Sequence, residues 1–172
     1  MTAGYTPAGW TAFGAGAVGA GATLSGLVFV AVSINLTRIL GTPSLPARAW
    51  QTLGLLSTPM LTGFFLLVPG QSRAVLAWEL IVLGVLLGGS RVAIHHQAVR
   101  SEKDTPLPLV GGLAGFVSAV APALVSYVCL AAAGAALLAR TGGGLYWLVP
   151  SVVVAIFFGL LNAWALLVEI PL

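Results

Sequence analysis

The chain has 172 residues, of which 59% are hydrophobic and 6% charged, and its mean hydropathy is +1.06. An average soluble domain carries about 25% charged residues, so the composition excludes a soluble enzyme, a disordered tail and a nucleic-acid module. It leaves an integral membrane protein, whose formal charge of +3 comes from seven Lys/Arg scattered at the ends of apolar runs rather than from a basic stripe.

A membrane-spanning helix needs about 20 mostly apolar residues. Five segments meet that requirement, at about 10–39, 48–68, 73–96, 110–138 and 145–169. They predict an all-α bundle of five transmembrane helices in one domain. The sequence shows no convincing internal repeat between its halves.

The first segment is not a cleaved signal peptide, because no Lys or Arg precedes Arg38 and the apolar run is too long. It is rich in small residues. Ala15, Gly19, Ala22 and Gly26 share one face, which Gly14, Gly16 and Gly21 widen. Small faces let helix backbones approach closely. The face reads either as packing within the chain or as a subunit interface or pore lining.

The second segment carries Pro59 and ends at Pro69-Gly70. In the third, Gly84, Gly88, Arg91 and His95 fall on one face, a tight contact leading to a basic end. Arg91 is read as a snorkelling arginine one turn from the interface, or more sharply as an anion site or ion pair lining an inner vestibule. Glu79, beside Trp78, reads as a carboxylate reaching the headgroups next to Arg73, or as an outer-mouth charge attracting cations.

The only markedly polar connector is 100–105. The fourth segment contains Gly115, Ser118 and Pro122, where a proline kink is expected. The fifth places Asn162 and Glu169 on one face, and Glu169 is the natural partner for Arg91 or Arg38.

Basic residues set the orientation. Arg38, Arg48, Arg91, Arg100 and Lys103 lie on one side, and Arg73 and Arg140 on the other. The positive-inside rule then predicts the N-terminus outside and the C-terminus in the cytoplasm. Trp10, Trp78 and Tyr146-Trp147 fit the outer aromatic belt, and Trp50 and Trp164 the inner one. With this topology the first, third and fifth helices run parallel. Asn35, Arg38, Arg91, His95, His96, Asn162 and Glu169 are expected to form a polar cluster in the inner leaflet, since lipid offers polar groups no partner.

Metal and cofactor chemistry finds no support. His95 and His96 point about 100° apart and chelate one ion poorly, no zinc spacing exists, and Cys129 is the single cysteine. No metal and no cofactor is expected. Lys103 lies in the polar connector, which excludes an intramembrane retinal Schiff base.

The stretch Gly21-Ala-Thr-Leu-Ser-Gly-Leu-Val-Phe-Val-Ala-Val-Ser-Ile-Asn-Leu36 resembles a signature of small bacterial membrane proteins of unassigned function, found in actinobacteria. Leu45-Pro46-Ala-Arg48-Ala49 and Val68-Pro-Gly-Gln71 fit the same pattern. The resemblance covers about the first 70 residues and implies a bacterial multi-pass membrane protein without implying an activity.

Three functions remain open to the sequence. The leading one is a homo-oligomeric channel or small-solute permeation protein of the bacterial inner membrane, anion-preferring at a basic inner mouth. The second is a non-catalytic accessory or assembly subunit docked to a membrane protein partner. The third is a membrane enzyme using His95 or His96. The expected surroundings are the lipid bilayer and further copies of the chain, with no nucleic acid.

Overall fold

The computed structural model describes residues 3–41, 45–102 and 120–169. These are helical, with no strand among them. Two 3-10 turns, Ala3–Tyr5 and Pro7–Trp10, lead into α1 (Thr11–Ile34) and the short α2 (Leu36–Gly41). Then come α3 (Leu45–Leu67), α4 (Arg73–Glu102) and α5 (Ala121–Ala139). A 3-10 turn, Gly144–Trp147, precedes α6 (Leu148–Glu169).

Four segments, Pro7–Ile34, Arg73–His96, Ala121–Ala139 and Gly144–Leu167, are long and apolar enough to cross a membrane. In lipid every backbone polar group must be satisfied within the segment, which is why such residues form helices. α3 is as long but less apolar, because Gln51, Thr52, Ser57, Thr58 and Thr62 dilute it. Three of these residues, Thr52, Thr58 and Thr62, are fully buried. The polar content of α3 is therefore turned inward, away from the position lipid would occupy. Ser57 and Thr58 also donate to the carbonyls four residues back, Leu53 and Gly54, which spares their hydroxyls.

The helices pack as two tight pairs, α1 on α3 and α4 on α5, with α6 lying against both α3 and α5. Glycine sets both contacts. A Cβ added to Gly63 of α3 would collide with the Gly14 carbonyl and come within 2.7 Å of Val18. One added to Gly21 would meet the Met60 nitrogen at 2.7 Å. Gly84 and Gly134 play the same part between α4 and α5. Close approach of this kind replaces the hydrophobic driving force that lipid does not supply.

Two expectations are corrected. The predicted first helix is interrupted at Asn35, whose backbone leaves the helical basin (φ −102°, ψ 17°) while its side-chain amide donates to the Ala31 carbonyl at 3.0 Å. Such a local bond competes with continued helix. Pro122 stands in the first turn of α5 as described; Gly115 and Ser118, and with them the expected kink, lie outside the described residues. Trp10 is buried in the core rather than lying in an aromatic belt. Its ring meets Phe13 and Tyr146 edge-on, at 5.5 and 5.2 Å.

Candidate functional site

α4 carries the site because its small residues let α5 come close. A Cβ on Gly84 would sit 2.8 Å from the Tyr127 carbonyl and 3.0 Å from the Ala131 nitrogen. Gly88, one turn further, faces the Tyr127 side chain at an ordinary 3.8 Å. The next residue on this face is Arg91, which is only 4% exposed. The snorkelling reading of Arg91 is thereby corrected: the side chain is packed inside the bundle. The physical reason lies in the length of α4, which continues to Glu102 and so places Arg91 well before the helix end.

Arg91 lies near Tyr127, which is 5% exposed and faces Thr58 of α3. Thr58 in turn donates to the Gly54 carbonyl at 3.0 Å. A guanidinium from α4, a phenol from α5 and a hydroxyl from α3 therefore meet at the junction of three helices. Around them lie Leu55, Leu87, Ala123 and Ala155. An ionised group in such apolar surroundings costs several kcal/mol unless it is well partnered, and a partly desolvated guanidinium attracts anions strongly.

A second polar contact lies between α5 and α6. Ser126 Oγ donates to the Ser151 carbonyl at 2.9 Å, and Ser151 Oγ donates to the Ser126 carbonyl at 2.8 Å. Replacing both serines by alanine is expected to cost about 1–2 kcal/mol, from about 0.6 kcal/mol for each interhelical bond. Reversible unfolding in bicelles measures this. Ser25 Oγ and Thr62 Oγ1 are buried without a hydrogen-bond partner among the described residues.

Of the expected inner cluster, the described side chains lie at the end of α1 and on α4 and α6. His95 is half-buried and His96 outward-facing on the turn after Arg91. No group of three or more His, Cys, Asp or Glu stands ready for a metal among the described residues. Asn35 and Ser33 bond back to their own helix, to Ala31 and Phe29. Asn162 is half-buried on α6. The helices bearing these residues have different main neighbours, α3 for α1 and α5 for α4. Where α2, α3 and α6 meet, the contact is apolar, through Ile39, Leu45, Ala49 and Leu166. The side chains of Arg38 and Glu169 lie outside the described residues, and with them the expected pairing of Glu169 with an arginine.

Glu79 is half-buried, and the Gln71 side-chain amide donates to its carboxylate. On α1, Ala15, Gly19, Ala22 and Gly26 face outward, and a Cβ on Gly19 or Gly26 would meet nothing within 4 Å. Packing within the chain instead uses Gly14, Ala17, Gly21 and Val28. Beside Val28 runs an apolar groove between α1 and α6, lined by Leu24, Ala31, Leu160, Ala163 and Trp164. It is remote in character from Arg91 and suits hydrocarbon.

No protein-family model, curated protein or solved structure matches the chain.

Proposed function

We propose that the protein is a five-span protein of the bacterial inner membrane, N-terminus outside, that self-associates and passes a small anion. Arg91 carries this reading. A fixed cation inside a helix bundle is costly to keep and marks an ion pathway or binding site by default. The buried hydroxyls of Thr52, Thr58 and Thr62 along α3 and the phenol of Tyr127 offer further polar groups between the helices. The excess of Lys/Arg around the connectors after α1 and α4 supports the orientation, and the likeness of the first helix to bacterial membrane proteins supports the location.

The outward small-residue face of α1 favours assembly. In its span only 17% of the residues are buried within the chain. Copies of the chain meeting on this face give a homo-oligomer; another membrane protein meeting it gives the accessory-subunit reading. Native mass spectrometry from nanodiscs separates the two. A ring of three or more copies that Gly19→Leu breaks into monomers supports the first. A co-purifying partner on a monomeric chain overturns it.

Chloride flux from proteoliposomes tests the anion pathway. Arg91→Ala is expected to lower it at least tenfold, about 1.4 kcal/mol in the barrier, with Arg91→Lys intermediate. Flux equal to that of the parent protein sinks the proposal.

A further inference from the structure

The two glycine-sealed helix pairs share one register. On α3, a Cβ at Gly63 would run into the Gly14 carbonyl, then Val18 Cγ2 at 2.7 Å and the Val18 nitrogen at 3.0 Å. On α5, a Cβ at Gly134 would run into the Ala77 carbonyl, then Ile81 Cγ1 at 2.7 Å and the Ile81 nitrogen at 3.1 Å. A single shift in numbering carries Gly14 onto Ala77, Val18 onto Ile81 and Gly21 onto Gly84. The partners of Gly21 follow as well: Leu56 and Met60 correspond to Tyr127 and Ala131, which close on Gly84.

Burial repeats with the contacts. The four buried positions of α1, Gly14, Ala17, Gly21 and Val28, fall on Ala77, Leu80, Gly84 and Arg91, all buried. Nine residues are buried on α3 from Ala49 to Leu66. The shift that carries Gly63 onto Gly134 carries them onto nine buried residues from Val120 to Leu137. The two shifts differ because more residues separate the equivalent positions of α4 and α5 than those of α1 and α3.

We infer that α1/α3 and α4/α5 are two copies of one packing unit, and that the second copy holds a small-anion site at Arg91 and Tyr127, where the first copy is filled by Val28 and Leu56. Val28 and Leu56 lie in one apolar cluster. That first copy shows what the packing requires at these two positions: a branched aliphatic on the first helix and another on the second. Nothing in the shared register calls for a charge. Its replacement by a guanidinium and a phenol adds hydrogen-bond donors of the kind an anion accepts from. The ligand rests on the anion reading given above; the repeat does not depend on it.

The experiment uses the full chain in nanodiscs. Arg91→Val/Tyr127→Leu restores the first copy's pair in the second. The variant is expected to melt at or above the temperature of the parent, because replacing buried polar groups by well-packed apolar ones is often neutral or stabilising. The parent is expected to gain melting temperature with added chloride, and the variant to lose that gain along with at least tenfold in chloride flux. Separately, Gly63→Ala and Gly134→Ala are expected to lower the melting temperature by similar amounts, while Gly89→Ala, where a Cβ would meet nothing within 4 Å, leaves it unchanged. A double variant that melts far below the parent makes the pair structural and overturns the site. Unchanged chloride response and flux overturn it too. A drop for only one of Gly63→Ala and Gly134→Ala overturns the repeat, whatever the anion assays give.

Discussion

Gly84→Val is expected to destabilise the protein by about 3 kcal/mol or to prevent its folding, while Gly88→Ala stays within about 0.5 kcal/mol of the parent. The two glycines share a face and stand one turn apart, so sequence treats them alike. Their surroundings separate them. A Cβ at position 84 meets the Tyr127 carbonyl at 2.8 Å, the Ala131 nitrogen at 3.0 Å and the Ala131 Cβ at 3.1 Å. Two of these are backbone atoms of a packed helix and cannot turn aside as a flexible side chain would. α5 must move as a body, and close helix contact is the main attraction available in lipid. At position 88 the nearest atom is the Tyr127 Cβ at 3.8 Å, ordinary van der Waals contact. The displacement at 84 also carries Tyr127 away from Arg91, so chloride flux falls with stability in Gly84→Val and survives in Gly88→Ala. Steric-trapping or chemical unfolding in bicelles gives the energies. Equal stability for the two variants would contradict the α4–α5 contact.

Periodicity reads which residues share a helix face, and it does not read which face turns inward. α1 is the clearest case. It is apolar all round, so hydrophobic patterning gives no preferred direction. It offers two small-residue faces, Ala15-Gly19-Ala22-Gly26 and Gly14-Ala17-Gly21, and only the position of Gly63 on another helix selects the second. The face of α4 was legible because Gly84, Gly88 and Arg91 mark a single direction. Its depth was not, since α4 runs on to Glu102 through residues too polar to read as a span. Tyr127 was invisible for a simpler reason: one phenol in an apolar helix looks like core until a buried guanidinium is found beside it. Ser126 was hidden the same way, as a hydroxyl whose partner lies on another helix. The helix pairs escaped sequence comparison because what they share is spacing and burial. Equivalent positions such as Val28 and Arg91, or Leu56 and Tyr127, have opposite chemistry.

The second large effect is expected at the opposite end of α4, where the chain's first residues are clasped. Gly142, Gly143 and Gly144 all have positive φ, 73°, 98° and 60°. An L side chain there costs about 1–2 kcal/mol in backbone strain alone. Space adds to this at Gly144. A Cβ would strike the Gly4 carbonyl and lie 2.9 Å from the Tyr5 ring. Across the same contact the Gly143 amide donates to the Tyr5 hydroxyl at 3.1 Å, and Trp147 Nε1 donates to the Gly142 carbonyl at 2.8 Å. The connector between α5 and α6 thus holds the Ala3–Tyr5 turn, and behind that turn sits the buried Trp10. Gly144→Ala is expected to cost about 3 kcal/mol from strain and collision together. It also frees the N-terminal turn, so the Gly143 amide exchanges at least tenfold faster with solvent deuterium. Tyr5→Phe removes only the acceptor and costs about 1 kcal/mol. Gly9→Ala, with nothing within 4 Å of the new methyl, is neutral. Exchange at Gly143 that stays slow in Gly144→Ala would mean the turn tolerates a side chain. The clasp would then contribute little to holding Trp10 in the core.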